Sequence, residues 1–230
     1  MRLDKWIQKY CDCGKSTARK MIARKSVIVD GNVVIDSLFE VNQFQRILLD
    51  GELVQDKEAY YIMLNKPAGV VSATVDPEHK TVVSLIDEPF ADTLHLAGRL
   101  DKESTGLVIL TNDGIWSRKL TEPDEAIPKS YLVTTEHEIL PETVTAFTEG
   151  FYFAYEDITT LPAELEIHSE KSARVVIYEG KYHQIKRMFH AVGNRITSLH
   201  RESMGEIMLD KNLLSGCYRS LNSNEINSVI

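Results

Sequence analysis

Apolar positions recur at helical spacing at the start of the chain and then give way to short β-type runs. Leu3, Trp6 and Ile7 fall on one helical face. A second helix is expected from Ser16, whose hydroxyl can cap it. Ala18, Met21 and Ile22 would face inward there, with Arg19, Lys20, Ala23 and Arg24 outward. Two β-branched runs around Asp30-Gly31, Val27-Ile28-Val29 and Asn32-Val33-Val34, predict a hairpin. The stretch 50–58 is polar, contains Gly51 and reads as a linker. The chain therefore divides by pattern into a small unit, residues 1–58, and a larger one, residues 59–230.

From residue 60 the pattern predicts strands at 60–65, 70–74, 94–100, 107–111, 130–135, 163–168 and 174–179, each bounded by turn residues. Helices are expected at 114–120, at 142–149 behind Pro141, and at 182–192. In the last, Tyr182, Ile185, Met188, Phe189 and Val192 would form the buried stripe, and Gly193 supplies a stop. Strands and helices do not alternate as βαβ units, and no repeat is visible. The expectation is an α+β fold with a largely antiparallel mixed sheet flanked by helices.

Composition is that of an ordinary globular protein, 43% hydrophobic and 26% charged, which excludes disorder as a whole-chain reading. No apolar run reaches the roughly 18 residues of a membrane helix. Charges at Arg2, Asp4 and Lys5 stand where a signal peptide needs its apolar core, so a cytoplasmic location is expected. A net charge of −8 argues against nucleic acid until its distribution is read. Residues 1–25 carry eight bases against Asp4 and Asp12, and residues 171–201 carry seven against Glu179 alone. Residues 136–170 hold nine acids and no Lys or Arg. A polyanion feels the field within about a Debye length of 8–10 Å, so two basic blocks on an acidic body can form a footprint with a repelling back. Chance clustering on solvated helices is the alternative.

Most motif-like features dissolve on inspection. Gly14-Lys15-Ser16 imitates the end of a phosphate-binding loop, but Lys9 stands where that motif needs glycine. Cys11-x-Cys13 has no second pair, so neither a disulfide framework nor a metal site is expected. His183 and His190 are seven residues apart with no third ligand in view, and read as surface or RNA-facing histidines. The segment Ala97-Gly98-Arg99-Leu100-Asp101-Lys102-Glu103-Ser104-Thr105-Gly106-Leu107 differs. It sets charged and small residues between two apolar strands, where catalytic residues commonly sit. By composition alone Asp101 could equally cap a turn.

Gly98-Arg99-Leu100-Asp101 with Ser104-Thr105-Gly106-Leu107 resembles the catalytic signature of the pseudouridine synthases. Leu64-Asn65-Lys66-Pro67-x-Gly69, Lys129-Ser130-Tyr131-Leu132-Val133 and Glu179-Gly180-Lys181-Tyr182-His183-Gln184-Ile185-Lys186-Arg187-Met188 resemble that family's other motifs, in its order. The first unit resembles the S4 domain, a small RNA-binding module. The start Met1–Ile7, the stretch Asp76-Pro77-Glu78-His79 and the short C-terminus are most similar to the branch acting on bacterial 16S ribosomal RNA.

The resemblance implies an isomerase that converts a uridine of 16S ribosomal RNA to pseudouridine without cofactor or metal. It assigns the acting carboxylate to Asp101, its ion partner to Lys186 (many relatives have arginine there) and the ring beside the target base to Tyr131. Arg99, Arg187 and Arg201 near the site, and Arg19, Lys20 and Arg24 on the S4-like unit, are the expected RNA contacts. A monomer is expected. A large-subunit (23S) enzyme of the same family, a non-catalytic RNA-binding assembly factor, and a hydrolase built on Asp101 and Glu103 are the alternatives.

Overall fold

The computed structural model describes residues 1–229. It separates into two units, Met1–Ala59 and Tyr60–Ile230. In the first, helices α1 (Leu3–Cys11) and α2 (Lys15–Ala23) pack on strands β1 (Val27–Val29), β2 (Asn32–Val33), β3 (Ile47–Leu49) and β4 (Glu52–Gln55). Leu3, Ile7, Ala18 and Ile22 supply the helical side of the core, and Val27, Val29, Ile47 and Leu49 the strand side. The sheet is antiparallel in the order β2-β1-β3-β4.

Two local expectations need correction. Gly14, not Ser16, precedes the first turn of α2, and no side chain caps it. The stretch 50–58 is not simply a linker. Asp50 (φ 51°) and Gly51 (φ 87°) form a second left-handed Asp-Gly turn like Asp30-Gly31, and β4 follows it.

The second unit is built on a nine-stranded sheet. Its strands are β5 (Tyr61–Lys66), β6 (His95–Ala97), β7 (Thr105–Thr111), β8 (Lys129–Thr135), β11 (Glu164–Ser169), β12 (Ser172–Ile177), β13 (Ile196–Met204), β14 (Ile207–Met208) and β15 (Tyr218–Ser220). The main order is β11-β12-β8-β13-β7-β5-β15, with β6 on β7 and β14 on β13. A separate hairpin joins β9 (Tyr152–Phe153) to β10 (Ile158–Thr159). Every pairing is antiparallel except β13 with β7. The fold is thus α+β with a mixed, largely antiparallel sheet.

Helices cover both faces of the sheet's centre, which is why residues 107–110 are apolar without alternation. Val108, Leu110, Val133 and Val175 meet Phe147 of α4 (Glu142–Glu149) and Ile185, Met188 and Phe189 of α5 (Gln184–Ala191). Leu107 and Ile109 point the other way, toward Trp116 and Leu120 of α3 (Gly114–Thr121). Asp113 caps α3 by accepting from the N–H groups of Ile115 and Trp116. A short helix α6 (Ser223–Asn227) closes the described chain. Among the described residues no helix is long and apolar enough to cross a membrane.

Three further expectations differ from the structure. Residues 70–74 form no strand: Val71 makes only an isolated bridge to Thr81, and the Ser72 hydroxyl donates to the Leu100 carbonyl and accepts from its N–H. Helix α5 starts at Gln184, so Tyr182 lies outside the buried stripe and in solvent. Strand β13, with Leu-His-Arg-Glu-Ser in its middle, carries no apolar alternation for pattern reading to find.

The crossing of β7 and β13 is the tightest point near the 97–107 loop. Gly106 pairs with Arg201 at φ 99°, and a Cβ there would lie 2.3 Å from the Arg201 carbonyl oxygen. Gly106→Ala should therefore destabilise this unit by about 3 kcal/mol or more, through left-handed strain and a backbone clash. A urea titration followed by Trp116 in a Trp6→Phe background measures it; an unshifted midpoint would contradict the crossing.

Candidate active site

The loop between β6 and β7 leaves the sheet at Gly98 (φ 90°), carries Asp101 at its turn, and returns at Thr105. Two buried cations hold its backbone. Lys66, with 0% exposure, donates from Nζ to the carbonyls of Pro67, Lys102 and Ser104 at 3.1, 2.9 and 2.8 Å. Arg201, 1% exposed, donates to the carbonyls of Leu107 at 2.8 Å, Arg99 at 3.2 Å and Gly98 at 3.5 Å. The Gly69 N–H adds a bond to the Lys102 carbonyl. The segment Asn65–Gly69 is thus a bracket for the Asp101 loop, a role its sequence did not declare. Arg201 corrects an expectation: its guanidinium lies beneath the loop, where it cannot serve as a surface phosphate contact.

Desolvation pushes Lys66 down to about 8, against the opposite pull of Glu103 and Asp101. It remains largely protonated at neutral pH, with three N–H donors for three carbonyls. Lys129, also buried, is lowered by desolvation first and by Arg201 second, and donates to the Ile127 carbonyl.

Opposite the loop, residues 179–186 form the second wall. Glu179 is buried and accepts from the Gln184 side chain at 3.0 Å and from the Leu161 N–H at 2.8 Å. Gln184 in turn accepts from the Lys181 N–H. This knot turns the chain into α5 through His183, which sits in the left-handed region at φ 49°. Lys186 follows in the helix's first turn. Its Nζ lies 2.6 Å from Asp101 Oδ2, and His183 Nε2 lies 3.3 Å from Oδ1. His183 is a contact that pattern reading missed, since its spacing to His190 says nothing about the distant loop.

Tyr131, 6% exposed on β8, lies between Val175 and Arg201 across the ladder and lines the same cleft. The structure therefore brings Asp101, Tyr131 and Lys186 together, with Arg99 at their side. Lys181 lines this pocket too, and the wider cleft, about 740 Å³, adds Lys102 and Lys129 to its walls. Arg187 is committed elsewhere: it pairs with Glu156 at 2.7 and 2.8 Å and lies 3.5 Å over the Phe153 ring. In the first unit Arg19, Lys20 and Lys15 line a shallow concavity on α2, while Arg24 pairs with Asp50. Among the described residues no group of three or more His, Cys, Asp or Glu side chains could hold a metal ion.

A carboxylate on a bracketed loop, a cation on it and an aromatic floor define a class. Residues 60–191 match the family model of RNA pseudouridylate synthases, and the chain belongs to that family. Within it, the chain is 48% identical to the ribosomal small subunit pseudouridine synthase A of Pseudomonas aeruginosa over 230 residues, covering 100% of both chains. It is 44% identical to the enzyme of that name from Escherichia coli K12, again at 100% of both. A crystal structure of a pseudouridylate synthase superposes with a TM-score of 0.73 at 38% identity, covering 100% of both chains.

The depressed Lys66 value is a penalty on the folded state, present in full below about pH 8 and relieved as pH rises toward 10.5, where the unfolded chain loses the same proton. Within that window the folded chain gains stability with pH, by up to about 1.4 kcal/mol per unit. The difference in unfolding free energy between wild type and Lys66→Met should rise between those values and stay flat below them. A difference independent of pH would remove Lys66 from its dry bracket.

Proposed function

We propose that this chain isomerises a uridine of small-subunit ribosomal RNA to pseudouridine, with Asp101 as the acting carboxylate. The observation that carries this is the 2.6 Å Lys186–Asp101 pair on a loop bracketed from both sides. The full-length relatives that carry the small-subunit name support the substrate. Residues 1–59 serve as an S4-like RNA-binding domain and the remainder as the catalytic domain. Such an enzyme works in the cytoplasm, where ribosomal RNA is made.

The reaction breaks the glycosidic C–N bond, turns the uracil and rejoins it through carbon. A uridine stacked in a helix is out of reach, so it is flipped into the cleft at a cost of a few kcal/mol. RNA closing over the cleft takes water from Asp101, and the Lys186 ammonium at 2.6 Å is then its counter-charge. Tyr131 offers its ring to the flipped base. Arg99, Lys102 and Lys181 meet phosphates at the rim, and Arg19, Lys20 and Arg24 meet them on the first unit. Such contacts set register and carry little base information.

Asp101→Asn removes charge and almost no volume, so it should abolish pseudouridine formation while RNA affinity and fold persist. Lys186→Met should lower kcat by about ten- to a hundredfold with little change in affinity, and Lys186→Arg should keep most of the activity. Turnover by purified Asp101→Asn near the wild-type rate would refute the assignment.

Replacing Arg19, Lys20 and Arg24 together by alanine should flatten the dependence of log affinity on log salt by roughly two to three, since each phosphate contact contributes about 0.7–0.9. An unchanged slope in a salt titration would show that the α2 face does not touch RNA.

A further inference from the structure

Tyr182 is an aromatic side chain that the fold does not use. The residue is 74% exposed, and no hydrogen bond to its hydroxyl is made among the described residues. It is nevertheless held. The ring stacks on His183 at 4.0 Å between centroids and 16° between planes. Rings of consecutive residues stack this way because His183 takes the left-handed conformation, which no glycine relieves. Arg187, fixed by Glu156, donates to the Tyr182 carbonyl and pins the backbone from below. The contrast is Tyr155, 96% exposed with no ring partner, an ordinary surface side chain.

The position of this stack gives it meaning. His183, its inner ring, lies 3.3 Å from Asp101, and both rings line the cleft wall together with Arg99, Lys102 and Lys181. The outer face of Tyr182 is thus a preordered aromatic platform at the mouth of the site, among cations suited to phosphate. Flipping one nucleotide breaks the stack of its neighbours, and an unstacked base finds its best substitute on an aromatic face.

We propose that Tyr182, backed by His183, is a second nucleobase subsite that stacks an unpaired base adjacent to the target uridine. The inference rests on the RNA-modifying reading above and deepens it: the ligand is the neighbouring base of the same strand. Any of the four bases presents a π face, so the subsite senses whether the neighbour is free to stack more than which base it is.

The test uses the full chain and small-subunit RNA transcripts in which the converted uridine has been mapped. Tyr182→Ala should raise KM about tenfold, within the few-fold to hundredfold that loss of one base–aromatic stack causes, and change kcat less than KM. Tyr182→Phe should behave as wild type, and the melting temperature should not move. The decisive arm is RNA made abasic on one side of the target. On one of the two such RNAs the wild-type enzyme should lose as much as Tyr182→Ala loses on normal RNA, and the variant should lose nothing more. Additive losses on both abasic RNAs, an unchanged KM for Tyr182→Ala, or a Tyr182→Phe variant as weak as Tyr182→Ala would each overturn the subsite. Wild-type conversion of unmodified RNA is the control. Its absence would refute the proposed function itself, a result distinct from any of these.

Discussion

Everything at the candidate site hangs on two cations that meet carbonyls where they could have met acids. Lys66 and Arg201 are enclosed by protein, yet their donors end on the backbone oxygens of the loop at 98–107. Taking a charge out of water is costly unless it is fully hydrogen-bonded. Here five loop carbonyls and that of Pro67 provide the bonding, and the cost becomes a constraint. If the loop drifts, a buried charge loses its partners, a change worth several kcal/mol. Asp101 is thereby placed by the two strands that flank β7, β5 on one side and β13 on the other, through chain that has no ladder of its own.

The same arrangement explains the glycines of the loop. Gly98 and Gly106 both have positive φ and lie against β13, Gly98 near the Met204 side chain and Gly106 against the Arg201 backbone. Close approach at these two points is what lets the Arg201 guanidinium reach back under the turn. The role proposed for Asp101 gains from a carboxylate held to within a fraction of an ångström, and here the holding is done by backbone contacts that a side-chain inventory does not show.

Strands and helices that carry the apolar layers in their own sequence are legible there, whether they feed two layers or one. Residues 107–111 and the stripe Ile185, Met188 and Phe189 declare themselves by pattern alone. What stayed hidden has one physical cause: polar side chains used as structure. Arg201 and Ser203 disguise the central strand β13, since a buried arginine saturated by carbonyls looks, in sequence, like a surface arginine. At Ser72 a side-chain tie stands where the pattern predicts a strand. Asp50-Gly51 repeats the turn chemistry of Asp30-Gly31, yet the polar run Gln55-Asp56-Lys57-Glu58 that ends the stretch lets it pass for a linker. At the site, motif order brought Asp101, Tyr131 and Lys186 to attention. The partnership of His183 with Asp101 depends on one left-handed residue, and no spacing rule announces that.

The identity of the cation at 186 shapes what surrounds it. A guanidinium facing Asp101 could span both carboxylate oxygens with its planar fork. A lysine is a point charge, and the Lys186 Nζ lies 2.6 Å from Oδ2. His183 Nε2 lies beside Oδ1 at 3.3 Å, a longer contact. The two oxygens are therefore unequal: one lies against the Lys186 ammonium, the other borders an imidazole that is itself stacked under Tyr182. The lysine thus gives up bidentate rigidity, and the backbone bracket of Lys66 and Arg201 supplies the orientation that a fork would have imposed. The carboxylate is fixed from behind by its loop, so its front needs only charge, and one oxygen remains beside a side chain that also forms the wall of the cleft.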